Sequence, residues 1–171
     1  MAAHGGPKVP RDDLIVNVDV ENPKSFPING LEVDFLLVAG GGSGGADDEA
    51  GGGGGAGGML VKHNIDLTNT DYTIVVGAGG TAVSNPSAGN NGGDTTAFGY
   101  TAIGGGGGGG HEELGAQYAA KSGGSGGGAA STDGTPATNP VGGAALQPGS
   151  TDGGYGNAGG DMNYPGNDIG A

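Results

Sequence analysis

Apolar and polar positions alternate along five short stretches of this chain, and most of those stretches run directly into glycine. Leu14, Val16, Val18 and Val20 alternate with Ile15, Asn17 and Asp19, the period of two that marks an extended segment with a buried face. The same pattern predicts strands over Leu31–Val38, Met59–Asp66, Tyr72–Val76 and Thr95–Ile103. In the second of these, Val33, Phe35 and Leu37 alternate with Asp34, Leu36 and Val38. Pro23 and Pro27 exclude a regular central strand between the first two stretches, because proline has no N–H for a ladder. Asn29-Gly30 and Asn91-Gly92 are turn signals. Residues 1–13, with Pro7 and Pro10 and no periodicity, read as an extended arm.

Side chains nearly vanish between the strands. Gly40–Gly45 is interrupted only by Ser43, Gly51–Gly58 only by Ala56, and Gly104–Gly110 is uninterrupted. Runs return at 77–80, 123–128, 142–143 and 153–160, separated by varied inserts. Of these inserts, HEELGAQYAAKS (111–122) has weak helical character, with Glu112 and Glu113 ahead of Lys121 in the order that suits a helix dipole. A lone glycine strand does not order, since fixing each residue costs about 1–2 kcal/mol and glycine loses the most freedom. Without Cβ atoms, however, left-handed extended strands can approach until every N–H and C=O finds a neighbour, as around the collagen axis. At roughly 1 kcal/mol net per bond, six or seven such strands balance the cost where one cannot. The pattern therefore predicts a mainly β fold with irregular connections, in which a small antiparallel β portion continues into a polyglycine II bundle. Residues 1–38 form an N-terminal arm and β attachment unit, and residues 39–171 the glycine-rich domain. The bundle is a stiff rod with loops gathered at its ends, alternate loops going to opposite ends. On this reading 47–50 and 81–91 lie among the β strands, while 111–121 faces outward.

Composition narrows the alternatives. Only 33% of the 171 residues are hydrophobic, too few for a conventional core of any size. With 46 glycines and 9 prolines the chain reaches the range of low-complexity sequence. Glycine does not reach one third or keep an every-third period, which excludes collagen. A formal charge of −13 disfavours nucleic acid and anionic membrane as partners. There is no cysteine, hence no disulfide framework and no thiolate site. The N-terminal residues do not read as a signal peptide, and no apolar run approaches the ~18 residues of a membrane span.

Chemical motifs are weak. GAQYAAKS (115–122) approaches a phosphate-binding loop but has Ala120 where the second glycine is required. The GxGxxG matches inside 40–58 follow from composition, with no βαβ unit around them. Asp47, Asp48 and Glu49 read as a solvated acidic loop rather than a cation site. His4, His63 and His111 occur in unrelated contexts with no activated nucleophile. The expectation is a protein that is not an enzyme and has no catalytic residue, cofactor or metal. Tyr118, Tyr155 and Tyr164 sit where no core exists to bury them, and tyrosine offers rigid contact area with a polar tip.

The sequence VDFLLVAGGGSGG, followed by GGGGGAGGMLV, YTIVVGAGG, NNGGDTTAFG and TAIGGGGGGG, resembles the glycine-rich domain of bacteriophage tail-fibre and adhesin proteins. The likeness runs from Val33 to about Gly128. The second half is similar to the tip of the detachable adhesins of T-even-type phages, whose attachment domain is far longer than residues 1–38 here. The resemblance implies a virion surface protein built on a polyglycine sandwich, docked to other virion proteins through residues 1–38 and binding a bacterial envelope receptor. Receptor-binding candidates are His111, Glu112, Glu113, Tyr118 and Lys121, with Tyr155 and Tyr164 in support. A head-decoration or structural fibre protein without receptor binding is the alternative. Ice binding, which would need a flat, regular Thr or Ala face, is the third reading.

Overall fold

The computed structural model describes residues 31–48, 51–110, 119–130, 140–147 and 153–162. These contain five strands and no helix: β1 (Leu31–Val38), β2 (Met59–Leu67), β3 (Thr95–Ala97), β4 (Tyr100–Ala102) and β5 (Gly154–Tyr155). β1, β2 and β5 form an antiparallel sheet in that order, and β3 pairs with β4 in a second. The strand expected over Leu14–Val20, the Asn29-Gly30 turn and the helical character of residues 111–118 fall outside the described residues.

Alternation in β1 turns Phe35 and Leu37 inward and leaves Leu36 and Val38 exposed. Leu37 stands opposite Leu60 of β2, and both are buried with Ala39, Ala97 and Ala102. Phe35, Phe98 and Tyr100 close over them, with ring centroids 5.2 Å (Phe35–Phe98) and 5.3 Å (Phe35–Tyr100) apart in tilted geometry. Aromatic pairs at such spacing contribute about 0.5–1.5 kcal/mol beyond their burial. This small plug is the apolar core.

Two of the expected strands take other forms. Thr95–Ile103 is a tight hairpin, because Phe98 (φ 55°) and Gly99 (φ 80°) both adopt positive φ, as a two-residue turn of the primed type requires. Tyr72–Val76 is not a strand and contributes one antiparallel bridge, Val75 to Thr96. The next backbone–backbone bond along the chain runs from Gly93 N–H to the Ala78 carbonyl, three residues on from Val75, which is the spacing found in the glycine runs. Tyr72 packs edge-on against Phe98 at 5.3 Å, and its hydroxyl accepts the Thr68 N–H at 2.9 Å. Asn91-Gly92 is not a turn either; it lies within segment 87–94, which is held on both sides.

That spacing governs the rest of the molecule. In segment 39–46 the N–H groups of Ala39, Gly42 and Gly45 donate to Gly58, Gly55 and Gly52, whereas those of Gly40, Ser43 and Ala46 donate to Gly93, Asn90 and Ser87. The carbonyls of Gly40 and Ser43 accept from Gly105 and Gly108. Every third residue thus faces the same neighbour. A pleated strand, with its period of two, bonds only to neighbours within one sheet; a threefold strand bonds around its whole circumference.

Gly104–Gly110 is buried throughout and is the axis of the assembly. Its N–H groups at 105 and 108 donate to Gly40 and Ser43, and those at 106 and 109 to Ser125 and Gly128. Those at 104 and 107 donate to the carboxylate of Asp94 (2.8 Å) and the amide oxygen of Asn91 (2.9 Å). The carbonyls at 103, 106 and 109 accept from Gly58, Gly55 and Gly52. Those at 105 and 108 accept from Gly92 and Gly89, and those at 104 and 107 from Gly124 and Lys121. Every N–H from 104 to 109 and every C=O from 103 to 109 is therefore paired, as burial demands.

Close approach is what requires glycine here. A Cβ placed at Gly104 or Gly107 would come within 3.0 Å of the backbone of Gly92 or Gly89, at Gly105 or Gly108 of Gly55 or Gly52, and at Gly106 of Lys121. These obstructing neighbours are themselves main chain and cannot rotate away. By contrast a Cβ at Gly53 meets nothing within 4 Å. Gly108→Ala is expected to destabilise the fold by at least about 3 kcal/mol through overpacking, on the order of 6–12 °C in Tm for a domain of this size. Gly53→Ala should leave Tm unchanged or raise it slightly, by restricting the unfolded chain. Thermal unfolding followed by circular dichroism checks both; equal effects would refute the axial role of 104–110.

Candidate functional site

Connectivity gives the bundle two unlike ends. One carries the plug, the 98–99 hairpin turn, the turn after β2 and the chain reversal at 124–125. The other is reached by segments 39–46, 103–110 and 125–130 as they run away from the sheet. There Ala46 and Ser87 exchange two backbone bonds of 2.8 and 3.0 Å, and Asn85 donates its amide to the Asp48 carboxylate. Ala129 N–H bonds to the Gly160 carbonyl, Met162 N–H to that of Pro140, and Gly142 N–H to the Asp161 carboxylate. The described residues that bracket 49–50, 111–118 and 131–139 all stand at this remote end, together with 81–86 and Met162. Residues 47–48 and 81–86 do not lie among the β strands as expected, because segments 39–46 and 75–80 carry them the full length of the bundle away.

His111, Glu112, Glu113, Tyr118 and Tyr164 lie outside the described residues. Lys121 is half-buried and belongs to the bundle itself: its N–H donates to the Gly107 carbonyl at 2.8 Å and its own carbonyl accepts from Gly127 at 3.0 Å. Tyr155, 46% exposed, pairs with Met59 in the sheet. It therefore stands at the opposite end from Gly110 and Ala119, which bracket 111–118. The structure does not bring Tyr155 together with that insert.

Polar side chains that the sequence pattern did not single out hold the bundle where a glycine segment is missing. Asn91 and Asp94, three residues apart, reach consecutive turns of the axial run. Ser122 and Ser125, also three apart, accept from Ala144 and Asn157. Gln147 is buried; its amide oxygen accepts the Ile103 N–H at 2.7 Å and its nitrogen donates to the Thr101 carbonyl. Thr95 donates to the Val38 carbonyl and accepts from Gly77. The signal available in sequence was their spacing of three.

At the sheet end an exposed histidine and an exposed aspartate are paired. A β-bulge sets His63 and Asn64 of β2 against Asp34 of β1, and Asn64 takes the positive φ of 53° that asparagine tolerates better than most residues. The Asp34 carboxylate bonds His63 Nδ1 and the Asn64 N–H, both at 2.9 Å. The His63 hydrogen bond first, and the Asn64 N–H second, lower the Asp34 pKa below the ordinary carboxylate value. Among the described residues no three of His, Cys, Asp and Glu are gathered to hold a metal ion, and no helix is long and apolar enough to cross a membrane.

A carboxylate whose folded pKa is depressed stabilises the fold above its unfolded pKa, and that contribution disappears as pH falls through the folded value. NMR titration of Asp34 should therefore show a midpoint below the usual carboxylate range, and His63→Ala should raise it. An Asp34 midpoint unmoved by that substitution would refute the assigned cause.

The profile of a protein family described as a glycine-rich domain matches residues 22–171 of this chain. No curated protein and no solved structure matches it.

Proposed function

The chain belongs to the glycine-rich domain family, and on that premise we propose that it is a bacteriophage virion surface protein, a tail-fibre tip adhesin binding a receptor of the bacterial envelope. The observation that carries the reading is that the described residues bracketing the inserts 49–50, 111–118 and 131–139 gather at one end of a bundle whose other end holds the sheet, with 148–152 bracketed instead at the sheet. Host recognition needs chemically varied loops on a rigid support, and the ordered series of strand and glycine motifs from Val33 to Gly128 resembles phage adhesins. The bundle is read as polyglycine II, supported by bonding to every third residue and by the absence of positive φ along the axial run.

In this reading residues 1–38 dock onto other virion proteins, since β1 leads into the sheet end, and the remote end meets the host. His111, Glu112, Glu113 and Tyr118 contact the receptor, and Tyr164, just beyond Met162, supports them. Lys121 flanks the contact surface from the bundle wall. Tyr155, at the sheet end, falls nearer the docking side. The protein acts by binding alone, without enzymatic chemistry, cofactor, nucleic acid or membrane insertion. The alternative is a head-decoration or structural fibre role without receptor binding.

Replacement of 111–118 by a Gly/Ser linker separates the two. The cut leaves the Lys121 bonds in place, so Tm should stay within about 2 °C, the shift of well under 1 kcal/mol typical of surface changes. Phage carrying the replaced chain should lose adsorption to host cells if the chain is an adhesin. Normal adsorption with an intact fold would refute receptor binding by this insert.

A further inference from the structure

Asn91-Gly92 has the sequence of a turn and the structure of a bundle segment, and the difference has a chemical consequence. In an Asn-Gly dipeptide the glycine nitrogen can attack the asparagine side-chain carbonyl carbon. A bond forms between Gly92 N and Asn91 Cγ, the Cγ–Nδ2 bond breaks, and the glycine amide proton, relayed through solvent, leaves on the departing nitrogen as ammonia. Water then opens the succinimide to aspartate or isoaspartate. The reaction needs a free glycine N–H, a side chain that can swing onto it, and a backbone able to bend.

All three are denied here by bonds within the bundle. Gly92 N–H donates to the Gly105 carbonyl at 2.9 Å. The Asn91 amide oxygen accepts the Gly107 N–H at 2.9 Å, and its nitrogen donates to the Ser122 carbonyl at 3.0 Å. The segment is fixed on either side by Gly89 to Gly108 and Gly93 to Ala78. Solvent access is not the barrier, because Asn91 is exposed. The lock is the bonding to the axial run.

We propose that Asn91-Gly92 is a deamidation site that the folded bundle holds shut, so that its conversion records separation of segment 87–94 from the axial run and makes that separation irreversible. The aspartate product places a carboxylate oxygen against the Ser122 carbonyl, where the amide had donated. The isoaspartate product adds a main-chain atom and puts the following residues out of step with a repeat that admits one register.

The full-length protein is held at mildly alkaline pH, native or in concentrated urea, and the peptide containing residue 91 is followed by mass spectrometry. Conversion should be slower in the native protein by at least about tenfold, as expected for a group reactive only in an opened state. In urea below the unfolding midpoint, native-state conversion should rise with urea in step with the opened fraction. Chains converted while unfolded should refold with a lowered Tm or not at all. Equal rates in native and unfolded protein, a native rate indifferent to urea, or converted chains that refold with unchanged Tm would each overturn the proposal.

Discussion

Backbones in this protein approach one another with nothing between them, and the rest of the structure follows from that closeness. Removing Cβ atoms allows a threefold strand to present its N–H and C=O groups around its circumference, so one chain segment can bond several neighbours instead of two. Each bond is worth only about 1 kcal/mol net, and ordering glycine is costly. A segment is therefore stable in proportion to the neighbours it has. The uninterrupted run at 104–110 takes the axis, where neighbours surround it. Interrupting residues occur where a side chain has room, as at Ala56 and Ala78, both exposed, whereas Gly52, Gly55 and Gly58 of the same segment as Ala56 are buried.

Such a lattice must terminate, and it does so by two physical devices. Around the axis, polar side chains supply donors and acceptors where a further strand would have been: Asn91 and Asp94 on one side, and Gln147 near the sheet. At one end the threefold repeat gives way to the twofold pleat of β1 and β2, and there side chains return. Leu37, Leu60 and the rings of Phe35, Phe98 and Tyr100 form a plug that the bundle itself cannot make, since the apolar side chains it buries are no larger than those of Ala88 and Ala130. The hydrophobic effect fixes one end, and hydrogen bonding carries order along the length.

This division of labour suits a protein whose surface must vary. The described residues that flank the inserts 49–50, 111–118 and 131–139 at the remote end are held by main-chain bonds, so the bundle does not depend on the inserts for those bonds. The plug cannot vary so freely, since Phe35 packs against Phe98 and Tyr100 and Leu37 is buried opposite Leu60. A bundle with a packed apolar plug at one end and the brackets of three inserts at the other is the arrangement on which the proposed recognition role rests.

Sequence by itself determined much of this. Period-two alternation located β1 and β2, and the near absence of side chains in 40–45, 51–58 and 104–110 determined that order there would come from backbone bonding. Both are local properties, read from consecutive residues. Tertiary structure decided what depends on neighbours. Tyr72–Val76 alternates like a strand, but it meets its neighbour at the single bridge Val75 to Thr96, and the next backbone bond, Gly93 to Ala78, comes three residues on. Asn91-Gly92 has turn chemistry, yet bonds to Gly105, Gly107 and Ser122 hold it extended. The end to which each insert goes is likewise invisible in the chain, because it depends on the direction of every segment in the bundle, and glycine runs carry no side chains by which direction could be read.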